Sequence, residues 1–261
     1  MRSLNIAATG MLAQQLNVEV ISNNIANMNT TGFKRQRAEF QDLLYQDQER
    51  VGSASSDTGT IVPAGIQVGV GVKTAAVYRI TEQGNLVSTG NDFDIAIQGR
   101  GLFQTTLPNG NTAYTRAGSF QLSPNGTIVT PDGYTVAPGI TIPTTASTVT
   151  INANGQVLAS IPGQTEPQNV GQLILVNFAN EAGLAPQGDN LLLETPASGT
   201  PVTGTPGSTG FGTVLQGFLE TANVNVVQEV TNLITAQRAY EMNSKVIQAS
   251  DEMLRTITQL R

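Results

Sequence analysis

The chain contains no cysteine, no histidine and no tryptophan. Without cysteine it forms no disulfide, so its fold is indifferent to the redox state of its compartment. Without histidine and cysteine, the commonest general bases, thiolate nucleophiles and transition-metal ligands are missing. Charge is scarce as well: charged residues make up 12% and aromatics 5%, and the net charge is −6. No broad basic patch occurs, which argues against a nucleic-acid partner. No run of about 18 apolar residues is present to span a membrane. The opening MRSLNIAATGMLAQQLN lacks the continuous apolar stretch of a secretory signal. The expectation is a cytoplasmic chain, or one exported by a route that needs no cleaved signal.

Motif-borne chemistry is absent too. There is no phosphate-binding GxxxxGK[ST], no HExxH, no GxSxG and no CxxC. Gly69 with Gly71, and Gly99 with Gly101, form GxG pairs but lack the third glycine and the following helix, so they read as strand or bulge glycines. Asp92 and Asp94 share one face of a strand, which reads as solvation of an outer face. No catalytic, cofactor-binding or metal-binding residue is expected, and no cofactor.

What is present is 261 residues rich in glycine (27 residues) and uncharged polar side chains. That composition suits a turn-rich β protein with a polar, uncharged surface. The charge is unevenly placed. Arg2 and Glu19 cancel in residues 1–28; Arg238, Lys245, Arg255 and Arg261 cancel Glu229, Glu241, Asp251 and Glu252 in residues 224–261. Locally neutral ends pack against copies of themselves without self-repulsion.

Both ends read as long helices. In residues 3–28, Leu4, Ala7, Met11, Val18, Ile21 and Ile25 fall at alternating three- and four-residue spacing, with Gln14 in the row. That is a heptad seam. Gly10 marks a close helix–helix approach, and the abundance of Asn and Gln points to a helix packed on several sides. In residues 223–261, Leu233, Tyr240, Ile247 and Leu254 repeat every seventh position, with Val230 in line and Met253 in a second apolar row. One row serves one partner; two rows serve two. Thr221 or Asn223 is the expected N-cap. At 1.5 Å per residue the two helices would reach roughly 40 and 55 Å, lengths that are only marginally helical alone.

Between them the signals are β. Lys34, Arg35 and Arg37 read as a solvated basic turn, and Gln46 to Gly65 as a polar loop. Gln67 to Ile80 reads as one strand. From Asp92 onward, Asn109-Gly110, Asn125-Gly126, Asp132-Gly133 and Asn154-Gly155 are tight-turn signatures between strand-length, β-branched runs. Residues 173–178 read as a central strand, and 196–212 as a Gly/Pro-rich surface linker.

The fold class read from this pattern is α+β: long N- and C-terminal helices paired as a coiled-coil domain, with an inserted, mainly antiparallel β region. The expected divisions are 1–30, an N-terminal helix; 31–91, a connecting region with an extended hairpin-like segment at 46–65; 92–195, an outer β domain; 196–222, a Gly/Pro-rich return segment; and 223–261, the C-terminal helix.

Four stretches carry a resemblance. The opening run through Ser22-Asn23-Asn24-Ile25-Ala26-Asn27 to Thr31-Gly32-Phe33-Lys34 resembles the N-terminal signature of the bacterial flagellar rod and hook proteins. Asn223-Val224-Asn225 and Ala236-Gln237-Arg238-Ala239-Tyr240-Glu241 resemble the matching C-terminal signature. DFDIAIQGRGLFQ and AYTRAGSFQLSPNGTIVTPDGY resemble internal β motifs of the family. Met28 stands where valine is more usual. Within the family, chain length and the segment 46–65 followed by QVGVGV point to the distal-rod members. The resemblance implies a helical homopolymer, a stiff tube acting as a drive shaft across the periplasm. It implies proximal rod proteins and hook protein at its ends, ring proteins around it, and passage through the flagellar export apparatus. Segment 46–65, with Gly52, Ser55, Asp57 and Pro63, is implied to stiffen the tube through contacts between subunits. The competing reading is a secreted β-rich surface or tail-fibre-like protein with coiled-coil termini. Its carbohydrate-binding form needs an aromatic groove, which no tryptophan and five tyrosines support poorly.

Overall fold

A computed structural model describes residues 2–49, 65–164 and 166–259. The chain divides into two compact units: residues 1–25, 36–78 and 225–261 form one, residues 26–35 and 79–224 the other. The coarse order is an N-terminal helix, a mainly antiparallel β region and a C-terminal helix.

In the first unit, α1 runs Arg2–Ala26 and α2 runs Val226–Gln259. Neither contains proline, and both carry apolar residues at helical spacing. The cap of α2 is Asn225: its Oδ1 accepts the Gln228 N–H at 3.2 Å and its carbonyl accepts the Glu229 N–H at 2.9 Å. This corrects the expected Thr221 or Asn223, whose side chains are engaged with carbonyls of Asn85, Ile80 and Glu82. The helices touch antiparallel. Ser3 and Ser250 are 3.2 Å apart at their hydroxyls, and Asn24 Nδ2 donates to Glu229 Oε2 at 3.4 Å.

The same unit holds two antiparallel ribbons. Gln36–Asp42 pairs with Val72–Arg79, and Tyr45–Glu49 pairs with Ile66–Gly69. Leu43 N–H to Gly71 O (2.8 Å) and Val70 N–H to Leu44 O (3.3 Å) join the two ladders end to end. The expected single strand over 67–80 is therefore broken at Val70–Gly71. The residues flanking the polar segment pair antiparallel, while residues 50–64 of the expected hairpin-like stretch lie outside the described residues. YQDQE offers no apolar alternation, so its strand character comes from cross-strand pairing and not from pattern. The Gly71 backbone takes φ +134°, and a Cβ there would lie 2.3 Å from Thr9 Oγ1. The ribbon thus meets α1 where only a glycine fits.

The second unit is built on a nine-stranded antiparallel sheet, with smaller two- and three-stranded sheets beside it. Leu102–Thr106 pairs with Thr112–Thr115, and Leu175–Asn177 adds onto Leu102–Thr106. The tight-turn signatures are turns: Gly110, Gly126, Gly133 and Gly155 take φ of 81, 78, 88 and 78°. Ile95, Ala96 and Ile97 are all buried, not only the alternate positions, because this strand lies inside the core. Ile95, Ile97, Phe103, Phe120, Ile128 and Leu175 centre the main apolar cluster. Phe103 and Phe120 meet edge to face at 5.0 Å, an arrangement that adds to area burial. The expected linker 196–212 is partly ordered into the sheet. Val202–Gly204 pairs with Leu175–Asn177, and Ser198 is fully buried.

Candidate assembly site

Two features stand out, one in each unit. In the second unit the residues of the N- and C-terminal signatures converge into a clasp. Gly32 N–H donates to Glu220 O at 2.8 Å. A Cβ on Gly32, whose φ is +69°, would lie 2.7 Å from the Ala117 backbone nitrogen. Only glycine combines that conformation with so close an approach. Lys34 Nζ donates to Glu220 Oε1 at 2.5 Å and to Glu82 O at 2.8 Å. The Arg35 N–H donates to Asn223 Oδ1 at 2.7 Å, while Asn223 Nδ2 donates to the carbonyls of Ile80 and Glu82.

The centre of the clasp is charged and buried. Glu220 is 1% exposed and receives the Gly84 N–H at 2.9 Å as well as Arg116 Nε at 2.5 Å. The other Arg116 donors reach the carbonyls of Ile97, Gly99 and Gly101. The GxG at 99–101 is thus a carbonyl cradle for a guanidinium, with both glycines at positive φ. Burial alone would push the Glu220 carboxyl up. Arg116, Lys34 and the Gly84 N–H outweigh it and hold the carboxyl below its usual range. Burial also pulls the Lys34 ammonium down; the bond and charge of Glu220 oppose this without outweighing it, and the nearby Arg116 charge adds to the lowering. The expected solvated basic turn is corrected at Lys34. Asp94, expected on an outer face, is buried and accepts Thr89 Oγ1 at 2.6 Å and Asn91 Nδ2 at 3.1 Å.

In the first unit the feature is apolar and outward. On α2, Val227 is 78% exposed and Met242 62%. Val226, Val230, Ile234, Tyr240, Val246, Met253 and Leu254 are also exposed. Leu233 and Ile247 are half-buried. On α1, Ala7 and Ile21 are buried, whereas Leu4, Met11, Val18 and Ile25 are half-buried. The face of α2 turned inward carries Glu229, Ala236 and Ser250, all buried. Apolar side chains are therefore left in water while small and polar ones are covered. Single exposed apolar residues are ordinary, but rows of them mark an interaction surface.

The signature residues divide between the two features. Asn24 is buried, bonding the backbone of Gln36 in both directions at 2.8 Å. Thr31, Gly32, Phe33 and Asn223 are half-buried around the clasp, and Asn27 bonds Thr30 in the turn after α1. Asn23, Asn225, Gln237, Arg238 and Tyr240 are exposed. Gly52, Ser55, Asp57 and Pro63 lie outside the described residues. Sequence reasoning missed Arg116, Glu220 and Gly84. The available signal was the rarity of charge: an Arg and a Glu inside β-rich runs of a charge-poor chain are candidates for a buried pair.

Comparison with known proteins covers the same stretches. Residues 4–34 match the flagella basal body rod protein model, and residues 96–159 the flagellar hook protein FlgE/F/G D1 domain. Residues 215–260 match the flagellar basal body rod FlgEFG protein C-terminal model. The chain is 61% identical over 261 residues to a flagellar basal-body rod protein FlgG of Caulobacter vibrioides, covering 100% of both chains. It is 56% identical to the protein of that name from Agrobacterium fabrum, covering 97% of each. Against that of Bacillus subtilis it is 39% identical, over 100% of this chain and 99% of the other.

Proposed function

Because the chain belongs to the flagellar basal-body rod protein family, we propose that α2 is the surface through which its copies build a torque-bearing tube. It is a structural subunit of the rod, and its place is the flagellar basal body. The observation that supports the reading is the row of exposed apolar side chains on a long helix of balanced charge. A second copy of the chain is the fitting occupant, since neutral helices meet without repulsion and each buried apolar side chain contributes about 1.5–3 kcal/mol. Torque passes through non-covalent contacts, so many such contacts per subunit are needed.

In this reading α1 and α2 pair as a coiled coil toward the tube interior, with the β region outside. The remaining roles are proposed on the same footing. Proximal rod proteins and hook protein adjoin the ends, ring proteins surround the tube, and the chain leaves through the flagellar export apparatus without a cleaved signal. The hairpin flanking residues 50–64 reaches between neighbouring subunits and stiffens the tube. The role is mechanical and not catalytic. The tail-fibre alternative is not favoured by relatives that match over the whole chain.

Electron microscopy of purified chain after concentration tests the proposal. Straight tubes are expected, and deletion of residues 46–65 is expected to give curved or misassembled ones. Failure of Val227→Asp with Met242→Asp to impair tube formation would remove α2 from the interface.

A further inference from the structure

The covered face of α2 and its partner face on α1 each carry a heptad row of small and polar residues alongside the apolar heptads. Ser3 meets Ser250. Seven residues along α1, Gly10 meets Asn243: a Cβ on Gly10 would lie 2.8 Å from Asn243 Nδ2, and Asn243 is seven residues back from Ser250. Asn24, two heptads beyond Gly10, meets Glu229, two heptads back from Asn243. The intervening step on α2 is Ala236, which is buried. One small or polar residue per heptad therefore runs along each helix at the contact, in a single antiparallel alignment.

We infer that this row, Ser3, Gly10 and Asn24 against Ser250, Asn243 and Glu229, is a register key. It fixes which turn of α1 faces which turn of α2. Apolar heptads alone do not distinguish an alignment from one slipped by seven residues, because each leucine or valine finds another apolar neighbour. Polar residues do distinguish them. A slip of one heptad toward the α2 N-terminus would set Asn243 against Ser3 and leave Asn24 beyond the start of α2, without Glu229. Separating Asn24 from Glu229 takes a hydrogen bond from two buried side chains, which penalises the slip. The row is anchored as well: Asn24 is held by both backbone bonds to Gln36. Gly10 admits the Asn243 amide where any larger residue would push it out. The apolar rows are spared for other surfaces because register is set without them. The inference concerns one chain and does not rest on those outer rows meeting other copies.

The absence of cysteine makes the test clean. Ser3→Cys/Ser250→Cys reports the observed register, since the two side chains meet at their hydroxyls. Ser3→Cys/Asn243→Cys reports a one-heptad slip. Each full-length chain is oxidised both in solution and in sedimented assemblies. Mixing light and ¹⁵N-labelled chains separates intrachain from interchain links by mass spectrometry. The in-register pair should link within one chain, at least roughly tenfold more than the slipped pair. In an Asn24→Leu/Glu229→Leu background that ratio should collapse toward one. Glu229→Gln keeps a hydrogen-bonding partner for Asn24 and should preserve the ratio. Three results overturn the inference. They are no in-register link in either state, an unchanged ratio in the leucine background, or slippage in Glu229→Gln equal to that of the leucine pair. Loss of both links in the leucine background also overturns it, because the row would then hold the helices together and not select their register.

Discussion

The two units handle apolar surface in opposite ways. The β unit seals it: Ile95, Ile97, Phe103, Ile128 and Leu175 are completely covered by their own chain. Even its central charges are enclosed and matched, with Glu220 held by Arg116 and Lys34. The helical unit leaves Val227, Ile234 and Met242 in solvent and covers Ala236 and Ser250 instead. A sealed core describes a part whose stability is its own. An open one describes a part whose stability is completed by something else, here proposed to be other copies. On that proposal one chain holds a unit sealed by its own residues and a helical surface that assembly completes.

The sharpest test of that contrast pairs two substitutions. Phe103→Ala opens a cavity in the sealed core and should cost about 3–5 kcal/mol in urea denaturation followed by circular dichroism. Ile234→Ala removes a half-exposed side chain and should change the soluble chain by no more than about 0.5 kcal/mol. It should nevertheless raise the concentration needed for assembly. Equal destabilisation of the soluble chain by both would break the contrast.

The clasp comes next. Arg116→Met leaves Glu220 with Lys34 and the Gly84 N–H and takes a donor from the carbonyls of Ile97, Gly99 and Gly101, of which Ile97 keeps Gln83 Nε2. Removing one partner of such a pair costs about 3–5 kcal/mol, whereas replacing both by apolar residues is far milder. The double variant Arg116→Met/Glu220→Leu should therefore recover part of the loss. A double variant less stable than the single one would show that the bonds of Glu220 to Lys34 and the Gly84 N–H outweigh the cost of burying its charge.

A smaller effect is read against pH. The Glu220 carboxyl lies below its usual range in the folded chain, so the unfolded chain binds its proton more readily. Its contribution is fully present above the unfolded value and is lost as pH falls through the folded one. Lys34 bears in the same direction but at higher pH: burial lowers its folded value, so stability rises with pH up to the ordinary lysine range. Denaturation midpoints between about pH 7 and pH 3 should fall more steeply for the native sequence than for Glu220→Gln. Parallel curves would place the acid sensitivity elsewhere.

How far these regions were legible in the sequence follows the same division. Helices and tight turns were readable because their signals are local: heptads at both ends, and Asn-Gly or Asp-Gly at each bend. The α2 cap was misplaced by two residues or more because Thr221, Asn223 and Asn225 are equally good caps on paper. Which of them caps depends on distant carbonyls at residues 80, 82 and 85. The clasp was not legible for a similar reason. Lys34 and Glu220 stand at opposite ends of the chain, and a lysine after a glycine turn looks solvated until its partner is known. The heptad pattern showed which rows were apolar; it did not show that the inward face of α2 would be the small and polar one.

The least effect is expected where charge sits in the open. Arg37 bonds Glu39 at 2.7 Å and lies 5.4 Å over the Tyr78 ring, while Tyr78 donates to Glu39 at 2.7 Å. The trio resembles the clasp in composition, a cation and a carboxylate with a third donor. It differs in that Arg37 and Glu39 are exposed, so a charge that loses its partner is taken up by water and screened by salt. The hydrogen bonds from Arg37 and then Tyr78 still lower the Glu39 carboxyl, which shows that a shifted carboxylate need not be a stabilising one. Arg37→Ala should leave the denaturation midpoint of the soluble chain where it was, and any small shift should vanish in high salt. A loss as large as that of Arg116→Met would mean that the ribbon Gln36–Asp42 is shielded from water in solution. The helical unit would then be less open than the exposed rows on α2 suggest.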